Sequence, residues 1–337
     1  MTRLLQAMAG RPHGGAENFF VRLAGALQRA GQEQRVLIRC DPARAGQLRG
    51  AGVEVAEAAF GGRFDFATGR AFRREIASWR PEIVLSWMSR ATQFCPRGDF
   101  VHLARLGGYY DLKYYRHCDH LIGNTRSIVD YAVAHGWTPE RVHYLPNFVP
   151  DPGPRSRAPR EEGTMRALTL GRLHPNKAFD VLLDALALAP GIDLWIGGDG
   201  DLLGALQAQA ARLGLDGRVR FLGWQDEVWP LLETADFLVC PSRLEPLGNV
   251  VIEAWAAGVP VVATQSDGPR ALIADEASGL LVPVDDAPAL AASMTRLAGD
   301  PALRARLAAA GRQSYEAEFT EAAVVAAYRD LFARVVR

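Results

Sequence analysis

Two glutamates, Glu245 and Glu253, lie eight residues apart on either side of a predicted helix start. The surrounding pattern is a buried strand, a loop, a helix and a second buried strand, at 237–240, 241–248, 249–257 and 259–263. Gly258 and Pro260 are typical helix-stop residues. This order makes a βαβ unit, in which a ligand lies beyond the carboxyl ends of the strands, at the helix N-terminus.

The start of this helix suits an anion. Backbone N–H groups of Leu247, Gly248 and Asn249 have no partner within the helix, and the helix dipole favours negative charge there. Gly248 permits close approach because it has no Cβ. The negative carboxylates of Glu245 and Glu253 repel a phosphate. They favour the ligand only if they accept hydrogen bonds from its hydroxyl groups. We therefore expect a ligand with both phosphate and hydroxyl groups, such as a nucleotide sugar.

The E-x7-E spacing, within EPLGNVVIEA and followed by GVPVVAT, resembles the signature of the family 4 retaining glycosyltransferases. The resemblance implies that Glu245 contacts the donor sugar and Glu253 holds the ribose hydroxyls. It also implies that Leu247, Gly248 and Asn249 belong to the donor site. The alternative is a buried crossover helix that carries two surface glutamates.

The strand 166–170 leads into Gly171-Arg172-Leu173-His174-Pro175-Asn176-Lys177, which resembles the G-R-L-x-x-x-K loop of the same family. The resemblance implies that Arg172 and Lys177 bind the donor diphosphate. Breaking the anomeric bond leaves extra negative charge on the β-phosphate, and two cations can stabilise it without a metal. Only Lys113 and Lys177 are lysines among the 38 basic residues, which favours a compact point charge at Lys177. We therefore expect no metal and no cofactor besides the donor.

Three further positions match donor loops of the family. Gly14 and Gly15 follow the first strand, 1–9, in a loop that lacks the dinucleotide fingerprint. The resemblance places them against the donor phosphates and sugar, whereas taken alone they indicate a tight turn. It places Gly198 beside the nucleotide and Trp224 at the border of the base.

The segment after the strand 100–106 has four tyrosines within 109–115. Such aromatic side chains could stack on sugar rings or pack a helix onto the sheet, and the sequence favours neither. Many family members carry a histidine at the end of this strand. Here the strand ends at Gly107 and His102 lies inside it, so Asp111 or a tyrosine is the candidate to replace that histidine.

A chain of 337 residues, 49% hydrophobic and 23% charged, is typical of a soluble protein with two domains. No apolar run reaches 18 residues and the N-terminus lacks a signal-peptide pattern, so we expect a cytoplasmic protein. The four cysteines have neither metal-site spacing nor the density of a disulfide framework.

Charge is unevenly distributed along the chain. Residues 1–150 contain 20 Lys and Arg against 13 Asp and Glu, a net +7, and the remainder contains 18 against 25, a net −7. The predicted helix 68–79 carries Arg70, Arg73 and Arg74. Because no nucleic-acid motif accompanies this charge, an anionic membrane surface or a phosphorylated saccharide is the expected partner. An ordinary solvated surface is the alternative.

The predicted fold is α/β, with two Rossmann-like doubly wound domains facing across a cleft, the GT-B arrangement that the resemblance implies. We expect an acceptor domain at 1–152, a nucleotide-sugar domain at 164–315 and a C-terminal helix, 316–337, that packs back on the first domain. The proline-rich segment 149–163 is the expected linker. Near the end of the second domain, helices are predicted at 288–297 and 301–311.

The implied reaction transfers a sugar from a nucleoside diphosphate, UDP by preference, to a glycan or lipid-linked saccharide with retention of anomeric configuration. Bacterial envelope enzymes, including those of lipopolysaccharide synthesis, are the type that it resembles. Two alternatives remain open. One is a sugar-nucleotide epimerase of the same fold, which would need an acid and a base around C2. The other is a catalytically silent subunit that binds a sugar nucleotide.

Overall fold

A computed structural model of the chain describes residues 2–11, 14–62, 64–153 and 164–336. Contacts divide the chain into two compact units. The first contains residues 1–147 together with 321–337, and the second contains residues 148–320. Most of the predicted linker, from 154 to 163, lies outside the described residues.

The first unit is built on a seven-stranded parallel sheet. Its strands are β1 (Leu4–Met8), β2 (Gln34–Arg39), β3 (Glu54–Ala58), β4 (Ile83–Trp87), β5 (Val101–Leu106), β6 (His120–Gly123) and β7 (Val142–Tyr144). Its helices are α1 (Gly15–Arg29), α2 (Pro42–Gly50), α3 (Phe66–Trp79), α4 (Met88–Phe94), α5 (Arg126–Ala134) and α13 (Glu321–Val335). The strand order β3-β2-β1-β4-β5-β6-β7 reverses direction between β1 and β4. This reversal is the hallmark of a doubly wound sheet.

The C-terminal helix α13 belongs to the first unit. It is fixed there by Arg105, a strand residue with only 2% of its surface exposed. The Arg105 Nε donates to the Tyr328 hydroxyl at 2.8 Å, and its guanidinium lies 4.7 Å from the ring centres of both Phe19 and Trp87. This hydrogen bond and the two aromatic faces compensate for removing the charge from water.

The second unit is built on a six-stranded parallel sheet. Its strands are β8 (Met165–Leu170), β9 (Ile192–Gly197), β10 (Val219–Phe221), β11 (Phe237–Cys240), β12 (Val261–Thr264) and β13 (Leu280–Val282). Its helices are α6 (Phe179–Leu188), α7 (Leu203–Arg212), α8 (Trp229–Thr234), α9 (Asn249–Ala256), α10 (Asp267–Leu272), α11 (Ala287–Gly299) and α12 (Pro301–Glu318). The order is β10-β9-β8-β11-β12-β13.

The switch point of this second sheet lies between β8 and β11, which pair directly. The loops that follow these two strands therefore emerge side by side at the carboxyl edge, although they are about 70 residues apart in sequence. Such an edge is where doubly wound sheets bind ligands. The predicted α/β class with two Rossmann-like domains is confirmed.

The prediction that a helix ends at Gly311 is wrong, because α12 continues to Glu318. A Cβ at position 311 would lie 2.2 Å from Cδ1 of Trp255 on α9. The glycine therefore allows two helices to pack closely rather than ending one of them. Among the described residues, no helix combines the length and the apolar character that crossing a membrane requires.

Candidate active site

An ion pair between Lys177 and Glu245 lies at the switch point of the second sheet. The Lys177 Nζ donates to Glu245 Oε2, and the other carboxylate oxygen, Oε1, accepts the Gly248 N–H at 3.2 Å. Glu245 is buried, with 8% of its surface exposed, and the Lys177 side chain is 24% exposed. One predicted cation and one predicted carboxylate therefore meet at the start of α9.

The loop before α9 is shaped by two glycines. Gly248 has a φ of +75°, a left-handed conformation that favours glycine, and it caps the helix that begins at Asn249. Gly268, which sequence analysis did not single out, donates its N–H to the Glu245 carbonyl at 2.6 Å. A Cβ on Gly268 would approach that carbonyl oxygen to 2.6 Å, so only glycine fits against the loop. Leu247 lies between these contacts and is half-buried.

Glu253 lies in α9, one helical turn beyond Asn249, and both residues are half-buried. Because residues four apart share one face of a helix, their side chains project from α9 in similar directions. Glu245 precedes the helix and Glu253 belongs to it, so the two carboxylates flank the helix start, as their spacing predicted.

Gly198 packs against the loop that carries the predicted cations. Its φ is +149°, and a Cβ there would lie only 1.8 Å from the Gly171 carbonyl oxygen. The Gly171 N–H donates to the Gly197 carbonyl at 2.9 Å, and the Gly198 N–H donates to the Gly223 carbonyl at 2.8 Å. The loops after β8, β9 and β10 are thereby joined at one edge of the sheet.

Arg172 and Trp224 are the exposed members of the predicted donor site. Within the described part of the chain no hydrogen bond or ion pair engages the Arg172 guanidinium, so it is available to an anion. Trp224 is 70% exposed, and its Nε1–H donates to Asp226 at 2.9 Å. The indole ring beside Gly223 is thus oriented by its polar edge while much of its surface meets solvent.

Arg243 was missed by sequence analysis, yet it bridges the two central loops. Its guanidinium donates to the Pro175 carbonyl at 2.8 Å and to both carboxylate oxygens of Asp180. Its Nε lies 2.6 Å from Asp285. Burial alone would raise the pKa of Asp180, but the Arg243 hydrogen bonds and charge outweigh burial and lower it. Its position two residues before Glu245 was the sequence signal that could have pointed to this role.

In the first unit, Gly14 and Gly15 stand at the start of α1. Gly14 is half-buried with a φ of 169°, ordinary extended backbone, and Gly15 is exposed. Glu17, 7% exposed, accepts the Arg11 N–H at 2.8 Å through Oε1. A Cβ on Gly14 would lie 2.2 Å from Glu17 Oε2, so this acid fills the space that the glycine leaves. Sequence analysis did not predict this role for Glu17.

The tyrosine segment has mostly a packing role. Tyr115 is buried and its hydroxyl lies 3.0 Å from Ser89 Oγ, while Tyr110 stacks on Tyr115 with ring centres 6.5 Å apart. Tyr114 is half-buried against the same core. Tyr109 is 44% exposed and differs from the other three in offering an open aromatic face.

His102 is the second residue of β5 and is 3% exposed. Its Nε2 lies 2.9 Å from Ser86 Oγ, and burial lowers its pKa to about 4. The histidine is therefore a neutral core residue. Asp111, proposed as its replacement, caps the turn 112–115 and pairs with Lys113 at 2.5 Å.

The sequence does contain an Asp-x-Asp pattern, at Asp199 and Asp201. Asp199 closes the turn after β9, where its Oδ1 accepts the Gly200 N–H at 2.7 Å. Both aspartates are exposed, and no histidine, cysteine or further acid among the described residues joins them in a metal-sized cluster. Metal independence stays a prediction, based on the two predicted cations and the resemblance.

Two doubly wound parallel-sheet units in one chain are the architecture of the GT-B class of α/β proteins. Models of two glycosyltransferase families match the chain. The model described as glycosyltransferase family 4 matches residues 13–151, and the model described as glycosyl transferases group 1 matches residues 155–314.

Close relatives extend this match over the whole chain. A lipopolysaccharide core biosynthesis glycosyltransferase, LpsE, from Rhizobium meliloti (strain 1021) is 34% identical over 95% of this chain and 96% of its own length. LpsD from the same organism is 35% identical over 96% of each chain. The crystal structure of Anabaena HepE in complex with UDP superposes with a TM-score of 0.84 at 19% identity, covering 99% of this chain and 100% of HepE. The protein belongs to the family 4 glycosyltransferases.

Proposed function

We propose that this protein transfers a sugar from a UDP-sugar to a saccharide of a lipopolysaccharide core, with retention of anomeric configuration and without a metal ion. The Lys177–Glu245 ion pair at the start of α9 carries the proposal. Two relatives of nearly the same length are named for lipopolysaccharide core synthesis, which supports the acceptor class. The HepE complex supports UDP as the nucleotide.

The ion pair suggests how the donor is accommodated. Glu245 is 8% exposed, and its negative charge would repel an incoming diphosphate if no cation compensated it. Lys177 lies close enough to serve both groups, turning from the carboxylate towards the phosphates as the donor binds. Glu245, still held by the Gly248 N–H, then accepts hydrogen bonds from the sugar hydroxyls. Arg172 supplies the second cation for the diphosphate.

Retention follows if the acceptor attacks from the face that the diphosphate leaves. The anomeric C–O bond to the β-phosphate breaks, and UDP departs with the bonding electron pair. The acceptor oxygen forms the new bond on that same face, and its proton passes to the leaving phosphate oxygen. Lys177 and Arg172 stabilise the charge that develops on this oxygen, which is worth roughly 10²–10³-fold in rate for one such group.

Each unit offers further groups for the donor. Trp224 offers an open ring to the base, and Glu253 offers its carboxylate to the ribose hydroxyls. Gly14 and Gly15 have no side chains to obstruct a phosphate or sugar near the start of α1. A buried carboxylate at Glu17 organises that loop in the first unit.

A membrane-anchored acceptor is supported by the surface around α3. Phe64 and Phe66 are 83% and 78% exposed, and Phe66, Arg70 and Arg73 follow the i, i+4, i+7 spacing of one helix face. Asp65 caps the helix by accepting the Thr68 N–H at 3.0 Å, so the two phenylalanines are presented on an ordered turn. Exposed aromatic rings beside arginines suit peripheral contact with the anionic inner face of a membrane.

The proposal is tested by incubating the purified protein with UDP-glucose, UDP-galactose and their labelled analogues, with and without a truncated lipopolysaccharide acceptor and with a chelator present. We expect transfer to the acceptor with the anomeric configuration of the donor, and slow hydrolysis without acceptor. Conversion to a new nucleotide sugar would instead identify an epimerase. UDP binding without any turnover would identify a silent subunit, and loss of activity with the chelator would refute metal independence.

A further inference from the structure

The first unit contains a cavity whose lining includes neither Gly14 nor Gly15, the residues of that unit predicted to contact the donor. It has a volume of about 810 Å³ and lies between the segment that connects β5 to β6 and the C-terminal end of α5. Its lining includes Lys113, Arg116 and Arg141 together with Tyr109, Tyr131 and Trp137. A smaller neighbouring cavity of about 360 Å³ shares Arg116 and Arg141 and adds Arg97. We call the two together the basic groove.

The arginines of the basic groove lie at the amino ends of three neighbouring strands. Arg97 and Arg116 each precede β5 or β6 by four residues, and Arg141 immediately precedes β7. The loop of Gly14 and Gly15 leaves the carboxyl end of β1 in the same parallel sheet. The arginine end of the groove therefore lies towards the opposite edge of the sheet from the Gly14 and Gly15 loop, while Tyr109 and Asp111 follow the carboxyl end of β5.

Charge in the basic groove is positive and largely uncompensated. Lys113 pairs with Asp111, but within the described part of the chain no salt bridge engages Arg97, Arg116 or Arg141. Besides Asp111, the lining contains only Asp119 as an acid. An anion entering the groove would thus meet three arginines that need not give up another partner.

Aromatic residues also line the larger cavity of the groove, and contacts hold them in place. Tyr109 and Tyr131 meet edge to face with ring centres 5.3 Å apart, and the Tyr131 hydroxyl donates to the Tyr110 carbonyl at 3.0 Å. Trp137 follows α5 and is half-buried. Aromatic faces pack well against the C–H face of a pyranose ring, while arginines bind carboxylates and phosphates in a bidentate manner.

A cation fits this place poorly, although His102, His117 and Cys118 bring their potential ligand atoms within 4.8 Å of one another there. The positive charges of Arg97, Arg116 and Arg141 repel a metal cation. The His117 Nε2 also contacts the Thr92 carbonyl at 3.1 Å, and the His102 Nε2 contacts Ser86, so these side chains already have partners in the core. The groove chemistry favours an anion.

We propose that the basic groove binds an anionic saccharide, a sugar unit that carries a carboxylate or a phosphate, as a second carbohydrate site of the first unit. The inference rests on the proposed function, because the acceptor glycan is the source of such a ligand. Binding there would hold the charged part of the acceptor apart from the hydroxyl that reacts.

The test measures binding of trigalacturonate and of neutral maltotriose by calorimetry, without donor, at low and high salt. We expect trigalacturonate to bind more tightly than maltotriose and to weaken with salt. The double variant Arg116→Gln/Arg141→Gln should lose about ten-fold in affinity for trigalacturonate, and Tyr109→Ala should weaken both sugars. The matched control is Arg22→Gln, an exposed arginine on α1 of the same unit, which should bind as wild type.

Equal affinity for the two trisaccharides, no binding of either, or an unchanged double variant would overturn the proposal. So would vesicle binding that the double variant loses, in a protein that does not bind trigalacturonate; phosphatidylglycerol vesicles are the probe. UDP affinity is measured on the same variants and should not change. If the wild-type protein fails to bind UDP while trigalacturonate still binds, the proposed function fails and the groove stands.

Discussion

Replacing Lys177 separates the structural and the catalytic contributions of its ion pair with Glu245. In Lys177→Ala the carboxylate, 8% exposed, keeps the Gly248 N–H as its hydrogen-bond donor among the described residues but loses its counter-charge. Leaving a largely buried charged group without its partner costs about 1–3 kcal/mol. At about 2–4 °C per kcal/mol for a domain of this size, the unfolding midpoint should fall measurably.

Catalysis should fall for a different reason. If Lys177 stabilises the charge on the leaving phosphate, kcat should drop roughly 10²–10³-fold. Lys177→Met is the matched control, because the Lys177 stem packs beside Gly171 and methionine keeps that stem without the charge. Lys177→Met should therefore lose as much activity as Lys177→Ala.

The double variant Lys177→Ala/Glu245→Gln tests the reasoning most sharply. The neutral amide no longer needs a counter-ion, so stability should recover most of the loss while activity stays low. Thermal unfolding and turnover with a UDP-sugar are measured on all variants. Near-wild-type turnover in Lys177→Ala would refute the phosphate role. Unchanged stability in that variant would show that the pair does not hold the loops, and activity regained in the double variant would contradict both.

Three further outcomes follow from the structure. Glu253→Gln should weaken UDP binding, and a 2′-deoxy nucleotide should lose less affinity on this variant than on wild type, whereas additive losses in calorimetry would show no ribose contact. Gly198→Ala should destabilise the protein by about 1–3 kcal/mol and weaken donor binding, because its Cβ would meet the neighbouring loop carbonyl at 1.8 Å; an unchanged unfolding midpoint would contradict this packing. Charge reversal at Arg70, Arg73 and Arg74 should reduce sedimentation with anionic vesicles at low salt, and binding that ignores lipid charge would favour a water-soluble acceptor.

Much of the fold is determined locally and was therefore predictable. Apolar runs that end in glycine-rich turns and alternate with helical periodicity give parallel βα units, because strands buried on both faces need continuous apolar sequence. The same local order, a strand followed by Gly171, Arg172 and Lys177, or a loop, Glu245 and a helix, is the pattern from which the donor loops were predicted. Residue type at fixed spacing carries this information without any distant contact.

Glycines show where local reasoning fails. Gly311 was predicted to end a helix, but it lies within α12 because Trp255 of another helix occupies the space of a side chain. Gly198 was predicted beside the nucleotide, and the structure adds that it must also fit against the Gly171 carbonyl. A glycine looks the same in sequence whether it ends a helix, turns the chain or lets two elements touch.

The strand order was decided by the tertiary structure, and with it the neighbours in the site. Placing β8 beside β11 brings Lys177 to Glu245 and lets Arg243 join the two loops, although Lys177 and Glu245 are 68 residues apart. The pairing of β4 with β5 likewise buries His102 against Ser86. Sequence determines which groups each loop offers, but pairing between strands far apart in the chain sets which groups meet, because it depends on how whole faces of helices and sheet are buried together.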